Sequence, residues 1–137
     1  MLVLPTAVRD ALLSHADSGG DEEICGVLAG DYGQERSCVE AAHPTANAAE
    51  KPRTRYRIDP EELLATIESV EQGGREVVGF YHSHPNGPAA PSATDAARAT
   101  WTGYSYVICS LDGSPSIDSW RWTGEEFATE ALVENAD

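Results

Sequence analysis

The stretch Glu76–Asp95, EVVGFYHSHPNGPAAPSATD, decides how this chain folds. Its first part reads as a core strand, because Val77, Val78 and Phe80 leave little polar surface on either face. Pro85 ends the strand, since proline has no N–H to continue a ladder. NGPAAP is then a loop stiffened by Pro88 and Pro91. Ser92 and Asp95 stand three apart before an apolar-periodic run, the form of a capping box that opens a short helix, SATDAARATW. A buried strand, a rim, a stiff loop and a helix start follow one another within twenty residues.

The flanks extend this pattern. PTAVRDALLSHA carries Val8, Leu12 and Leu13 at helical spacing, with Pro5 in the early turn and DSGGD as the stop. EEICGVLAG reads as a buried strand, RSCVEAAH as a second, and TRYRI as a third with Arg53, Arg55 and Arg57 on one face. DPEELLATIESVEQGG is the clearest helix: Asp59 caps it, Pro60 begins it, acids fill its first turn and two glycines end it. YSYVICSL is a further buried strand. SIDSWRW is a late strand with Trp120 and Trp122 on one face, as core or sheet cover. The tail GEEFATEALVENAD is expected to be only partly ordered. The predicted order α-β-β-β-α-β-α-β-β means an α/β fold with a mixed sheet.

A length of 137 residues suits one domain, 1–137, with its motif-bearing core at about 22–111. The chain is 41% hydrophobic and 23% charged, with no apolar run of membrane-spanning length and no signal-peptide pattern at the start, so a cytoplasmic location is expected. Cys25, Cys38 and Cys109 are odd in number and form no CxxC pair, which argues against a disulfide framework or a cysteine zinc site. Formal net charge is -14, with a pI near 4.5, and Lys51 is the only lysine. Such a field repels nucleic acid and anionic membranes, which excludes both as partners. Acidity together with lysine scarcity points to a salt-rich cytoplasm, where screening over about 3 Å removes self-repulsion; the alternative is an ordinary acidic protein.

His82 and His84 lie two apart at the end of a strand, so alternation puts both on one face, about 7 Å apart along the chain. Two imidazoles so placed can lean onto one ion, or they can be surface histidines beside a turn. Ser92 and Asp95 can serve the helix cap alone, yet the same geometry stacks both at one helix end, where Ser92 can also meet a ligand. Together the stretch offers two imidazoles, one carboxylate and one hydroxyl. Three protein ligands with an open fourth position is the pattern of catalytic zinc. Hydrolysis there needs a carboxylate base from elsewhere. Glu22 and Glu23 begin a strand and point to opposite faces; alternation alone leaves open which one faces a cleft.

HSHP, then PSATD, with EICG upstream, resembles the JAMM (MPN+, Mov34/JAB) metalloprotease motif: a glutamate, then H-[ST]-H-P, then S-x-x-D. The likeness runs from EEICGVLAG through YSYVICSL. It implies the MPN fold, a curved mixed sheet flanked by helices with cytidine-deaminase-like architecture. It implies His82, His84 and Asp95 as ligands of one zinc ion, Glu23 as general base, and Ser92 as a hydrogen-bonding partner of the zinc water or of the developing oxyanion. Family members cleave after the C-terminal glycines of ubiquitin-fold proteins. A compact acidic chain is similar to the small prokaryotic and archaeal, desampylase-like branch. That branch acts on ubiquitin-like modifiers or sulfur carriers with Gly-Gly tails, releasing lysine, cysteine or another amine. The chain has little room for the insertions that grip a second ubiquitin.

Arg53, Arg55 and Arg57 are candidate substrate-binding residues for an acidic modifier or its tail; a charged sheet edge is the alternative. His15 and His43 are expected to be structural or solvated. Monomer and homodimer are equally open. Two His and one carboxylate also form the facial triad of non-haem iron oxygenases, and a non-catalytic MPN scaffold is a further rival. The serine and the upstream glutamate favour hydrolysis over both.

Overall fold

The computed structural model describes residues 1–135. In chain order the elements are β1 (Leu2–Pro5), α1 (Thr6–Ser18), β2 (Cys25–Asp31), β3 (Ser37–Thr45), α2 (Pro60–Gln72), β4 (Glu76–His84), α3 (Ala93–Arg98), β5 (Ser105–Ser110), β6 (Ser116–Trp122), β7 (Phe127–Glu130) and β8 (Leu132–Asn135). The strands form one mixed sheet in the order β7-β6-β5-β4-β2-β3-β1-β8.

β4 runs through the middle of the sheet. It pairs antiparallel with β2, Cys25 opposite His82, and parallel with β5, His82 opposite Ile108. Every residue of β4 from Val77 to His84 is buried, as its unbroken apolar run requires. α1 covers one face with Val8, Leu12 and Ala16, over a core that includes Leu4, Leu28, Tyr81 and Val107. α2 covers the opposite face through Val70, over Val27, Val77, Phe80 and Tyr106. Burying one such Leu or Phe contributes about 1.5–3 kcal/mol, so the two clusters fix the sheet between its helices. Gly26 is required by packing: a Cβ there would overlap the Tyr81 ring.

The predicted helices and central strands are found where the pattern put them. Asp59 accepts hydrogen bonds from the N–H groups of Glu61 and Glu62, with Pro60 as the first helical residue. Four readings are corrected. LVLP forms β1, which pairs parallel with both β3 and β8; its four residues are too few to show a period. TRYRI is not a strand. It is an irregular segment whose main chain is tied to a loop: Asn47 Nδ2 donates to the Arg55 carbonyl, and Arg57 N–H donates to Asn47 Oδ1. Arg53, Arg55 and Arg57 therefore do not share a sheet face. The tail is ordered as β7 and β8, with residues 136–137 outside the described part. β7 pairs with β6, and one residue later β8 pairs with β1. One extended segment thus joins the two ends of the sheet, which curls until nearly closed. Arg121 of β6 reaches Ser37 of β3, and Glu130 of β7 meets the N-terminal amine of Met1 at 3.3 Å.

Candidate functional site

β4 ends at a rim, and the polar side chains gather there. His82 and His84 leave the strand on the α2 and α3 side, as alternation requires. Their Nε2 atoms are 3.1 Å apart. Asp95 Oδ2, from the first turn of α3, lies 3.2 Å from His82 Nε2 and 3.0 Å from His84 Nε2. The helix cap holds this carboxylate in place. Ser92 Oγ accepts from Asp95 N–H at 3.0 Å, and Asp95 Oδ2 accepts from Ser92 N–H at 2.9 Å. The capping box and the cluster are one structure, so the two readings of S-x-x-D are both realised.

Glu23 joins them. Ligand atoms of Glu23, His82, His84 and Asp95 all lie within 4.8 Å of one another, and all four residues are buried. Glu22 is exposed, which resolves the alternation question in favour of Glu23. Glu23 sits just ahead of β2, outside the ladder, and its backbone is anchored from three sides. Its N–H donates to the Pro52 carbonyl at 2.7 Å, and its carbonyl accepts from Asn47 Nδ2 at 2.9 Å. The next residue, Ile24, donates its N–H to Ser83 Oγ at 2.9 Å, while Ser83 N–H donates back to the Ile24 carbonyl. Ser83, between the two histidines, thus ties the glutamate's segment to the strand that bears them.

The geometry suits a metal ion. Four ligands at 2.0–2.1 Å in a tetrahedron stand about 3.3 Å from one another, close to the observed triangle of 3.0, 3.1 and 3.2 Å. The donor chemistry agrees. His84 Nδ1–H donates to the Pro88 carbonyl at 2.8 Å, which turns Nε2 toward the cluster as the atom that offers a lone pair to a metal ion whenever the ring is neutral. His82 Nδ1 and Glu23 Oε1 are buried without partners. The His82 ring is held by stacking on Tyr56, centroids 4.3 Å apart. The four residues could therefore hold a metal ion.

Electrostatics separate the two carboxyls. Burial pushes Asp95 up, but hydrogen bonds with both imidazoles and Ser92 N–H outweigh it and hold the group well below the usual carboxylate range. Glu23 has no such donors; burial raises it to about 7, with His84 pulling down and Asp95 pushing up. Burial lowers His82, whereas His84 is raised because its bonds to Asp95 and Pro88 outweigh its burial. Two carboxyls kept apart in this way could serve as an ionised anchor and a proton-exchanging group.

Ser92 is exposed at the mouth, and its hydroxyl proton is not used by the cap. It shares a hollow of about 340 Å³ with Glu23, His84 and Arg53. Arg53 pairs with Asp21 at 3.3 Å. Arg55 and Arg57 lie elsewhere, lining a different cleft with Lys51 and Arg98. Cys25 packs beneath the site against Thr45, buried, and burial raises its thiol to about 11, which disfavours the thiolate. Ser83, Tyr56, Asn47 and the Pro88 carbonyl were not identified from sequence. Only Ser83 had a local signal, its position between the histidines.

Comparison with known proteins places this geometry. The profile described as prokaryotic homologs of the JAB domain matches residues 5–123. The chain is 50% identical over 130 residues to a desampylase of Haloferax volcanii, covering 92% of this chain and 91% of that one. It is 37% identical over 110 residues to a CysO-cysteine peptidase of Mycobacterium tuberculosis, covering 80% and 73%. Among solved structures, a Desulfitobacterium hafniense protein superposes with TM-score 0.90 at 29% identity, over 100% of this chain and 94% of that one. A JAB1/MPN domain protein from Archaeoglobus fulgidus superposes with TM-score 0.60 at 19% identity, over 98% and 100%, a likeness of fold.

Proposed function

Since the chain belongs to the prokaryotic JAB family, we propose that it is a zinc-dependent isopeptidase that hydrolyses the bond after the C-terminal Gly-Gly of a ubiquitin-like modifier. The observation that carries this reading is the buried Glu23–His82–His84–Asp95 cluster at the rim of β4. Conjugates of a small modifier or a sulfur-carrier protein are the substrates, in keeping with the desampylase and CysO-cysteine peptidase among its relatives. The leaving group is a lysine, a cysteine or another amine.

His82, His84 and Asp95 would hold the zinc, which when bound polarises the scissile carbonyl and lowers the pKa of water. Glu23 accepts the proton from the attacking water as oxygen adds to the carbonyl carbon. It returns that proton to the nitrogen as the C–N bond breaks, releasing a carboxylate tail and a free amine. Its raised value of about 7 suits a group that both takes and gives a proton near neutrality. Ser92 donates its free hydroxyl proton toward the oxygen that gains charge, an interaction often worth about 3 kcal/mol. Pro88 fixes the tautomer of His84, and the cap fixes Asp95.

The described residues contain no helix long and apolar enough to cross a membrane, and we place the enzyme in the cytoplasm. The test is cleavage of a Gly-Gly-tailed modifier conjugate in molar KCl, by zinc-loaded and chelator-treated protein in parallel. Zinc-dependent release of the intact modifier is expected. A protein that binds zinc stoichiometrically and cleaves no Gly-Gly conjugate would overturn the proposal.

A further inference from the structure

Tyr56 stacks on His82 and also lines a second hollow on its far side, so one side chain separates the metal cluster from that space. The near half is about 350 Å³ and aromatic, with Phe80 and Trp101 in its wall. The far half is about 320 Å³ and cationic, lined by Lys51, Arg55, Arg57 and Arg98 with Glu50 as its only acid. Arg57 and Arg98 line both, so the two hollows adjoin across these side chains.

The charge here runs against the rest of the molecule. The chain has nine Lys and Arg against 23 Asp and Glu, and four of the nine line this cleft. Arg9, Arg53, Arg75 and Arg121 all have carboxylate partners. Among the described residues none of the four cleft cations has one within 4.0 Å, although acids outnumber bases more than twofold. Arg55 Nε is buried with no hydrogen-bond partner. A buried N–H left without an acceptor is costly, and an anion beside the half-buried Arg55 would complete it. Three of the four are arginines, whose planar fork binds a carboxylate through two parallel bonds. Such contact pairs survive molar salt, where longer-range attraction is screened within about 3 Å.

We propose that this cleft binds a carboxylate-bearing segment of the modifier just upstream of its Gly-Gly, with an apolar side chain in the aromatic half and acidic side chains against Arg55, Arg57 and Arg98. This rests on the reading of the site as a Gly-Gly isopeptidase. The modifier side is chosen because the tail is the part common to every conjugate, whereas the released amine varies. The cleft is then a specificity site that selects acidic tails, on an enzyme whose field otherwise repels them.

Two fluorogenic peptides test it, each ending in an apolar residue, Gly-Gly and aminomethylcoumarin, preceded by Glu-Glu in one and Gln-Gln in the other. In molar KCl the Glu-Glu peptide is expected to show about tenfold higher kcat/KM, through KM. Arg55→Gln and Arg98→Gln should each erode that ratio and together abolish it, while Arg36→Gln, an exposed arginine outside the cleft, leaves it in place. Anisotropy of the labelled product acid, Glu-Glu-apolar-Gly-Gly, reads binding without turnover and should weaken in step. Equal cleavage of both peptides by the wild type refutes the cleft and spares the isopeptidase. No cleavage, with binding that depends on Arg55 and Arg98, refutes the isopeptidase and spares the cleft. Binding indifferent to both arginines refutes the cleft outright.

Discussion

Replacing Ser83 by alanine is expected to reduce turnover while leaving metal content intact. Ser83 is fully buried, and its Oγ accepts the Ile24 N–H at 2.9 Å. Alanine removes that acceptor and leaves a buried N–H unpaired, since Ile24 is 8% exposed. An orphaned buried donor costs about 2 kcal/mol, on the order of 5–10 °C in Tm for a chain of 137 residues. The histidines keep their ladder bonds, so the triangle of His82, His84 and Asp95 survives. Glu23 does not fare as well. It is one residue from Ile24 and outside any ladder, so its segment loses one of the two bonds that register it against β4 and keeps the Ser83 N–H to Ile24 carbonyl bond with those to Pro52 and Asn47. Misplacement by about 1 Å can cost about a hundredfold in rate, and the partial anchoring left here predicts a fall in kcat of about 10- to 100-fold. The assay pairs kcat on a Gly-Gly peptide, at a temperature well below both Tm values, with zinc content by atomic absorption. An unchanged kcat in a folded, zinc-replete variant would refute the claim that Ser83 positions the base. Loss of zinc would show that the strand, and not the loop, depends on it.

Four further outcomes are expected. Glu23→Gln should keep zinc and lose about 10²- to 10⁴-fold in kcat; if Glu22→Gln has that effect instead, the base is misassigned. His82→Ala and Asp95→Ala should each lose stoichiometric zinc, read by competition with a chromogenic chelator. Glu130→Gln tests the sheet closure: burial raises the Glu130 pKa, but bonds from Ser105, Ser119 and Arg121 outweigh it and hold it below the ordinary value of 4.5. A depressed folded pKa gives stability that is complete above the unfolded pKa and lost as pH falls through the folded one. The variant should therefore be about 3 kcal/mol less stable at pH 7, a gap that narrows once pH falls below the ordinary carboxylate value and closes as it passes the lowered folded one; a pH-independent gap in denaturant melts would contradict this. Finally, Tm should rise with KCl from dilute to molar, because 23 acids against nine bases repel one another until screened; indifference to salt would remove the case for a salt-rich setting.

The centre of the molecule was legible because each of its signals had one physical meaning. The run from Val77 to Tyr81 admits only a strand covered on both faces. Asp59-Pro60 and Ser92-x-x-Asp95 are caps whose hydrogen bonds are now visible. The periphery was harder because its order is supplied by partners far away in the chain. β1 and β8 have four residues each and are strands because they pair with one another. TRYRI has a strand's composition, yet Asn47 satisfies its main chain in place of a neighbouring ladder. The site divides in the same way. His82, His84, Ser92 and Asp95 lie in one continuous stretch and could be read together. Tyr56 and Asn47 act across the fold, and nothing in the local sequence marks a ring that will stack on His82.

That division separates metal holding from turnover. The proposed ligands His82, His84 and Asp95 come from a central strand and a capped helix. Glu23, the proposed base, comes on a loop end secured by four hydrogen bonds, two with the β3–α2 connection and two with Ser83 of β4. Changes at Ser83 or Asn47 should therefore move kcat with little effect on zinc affinity, whereas changes at the Pro88 turn should move zinc affinity first. Charge imposes a similar separation on the substrate. A surface of net charge -14 attracts a divalent cation and repels an acidic tail. If Arg55, Arg57 and Arg98 recover that tail by direct contact, dilute buffer should raise KM for the acidic peptide through repulsion, and molar salt should relieve it. A KM that rises steadily with salt would instead mean that long-range attraction governs capture, and the contact-pair account of the cleft would fail.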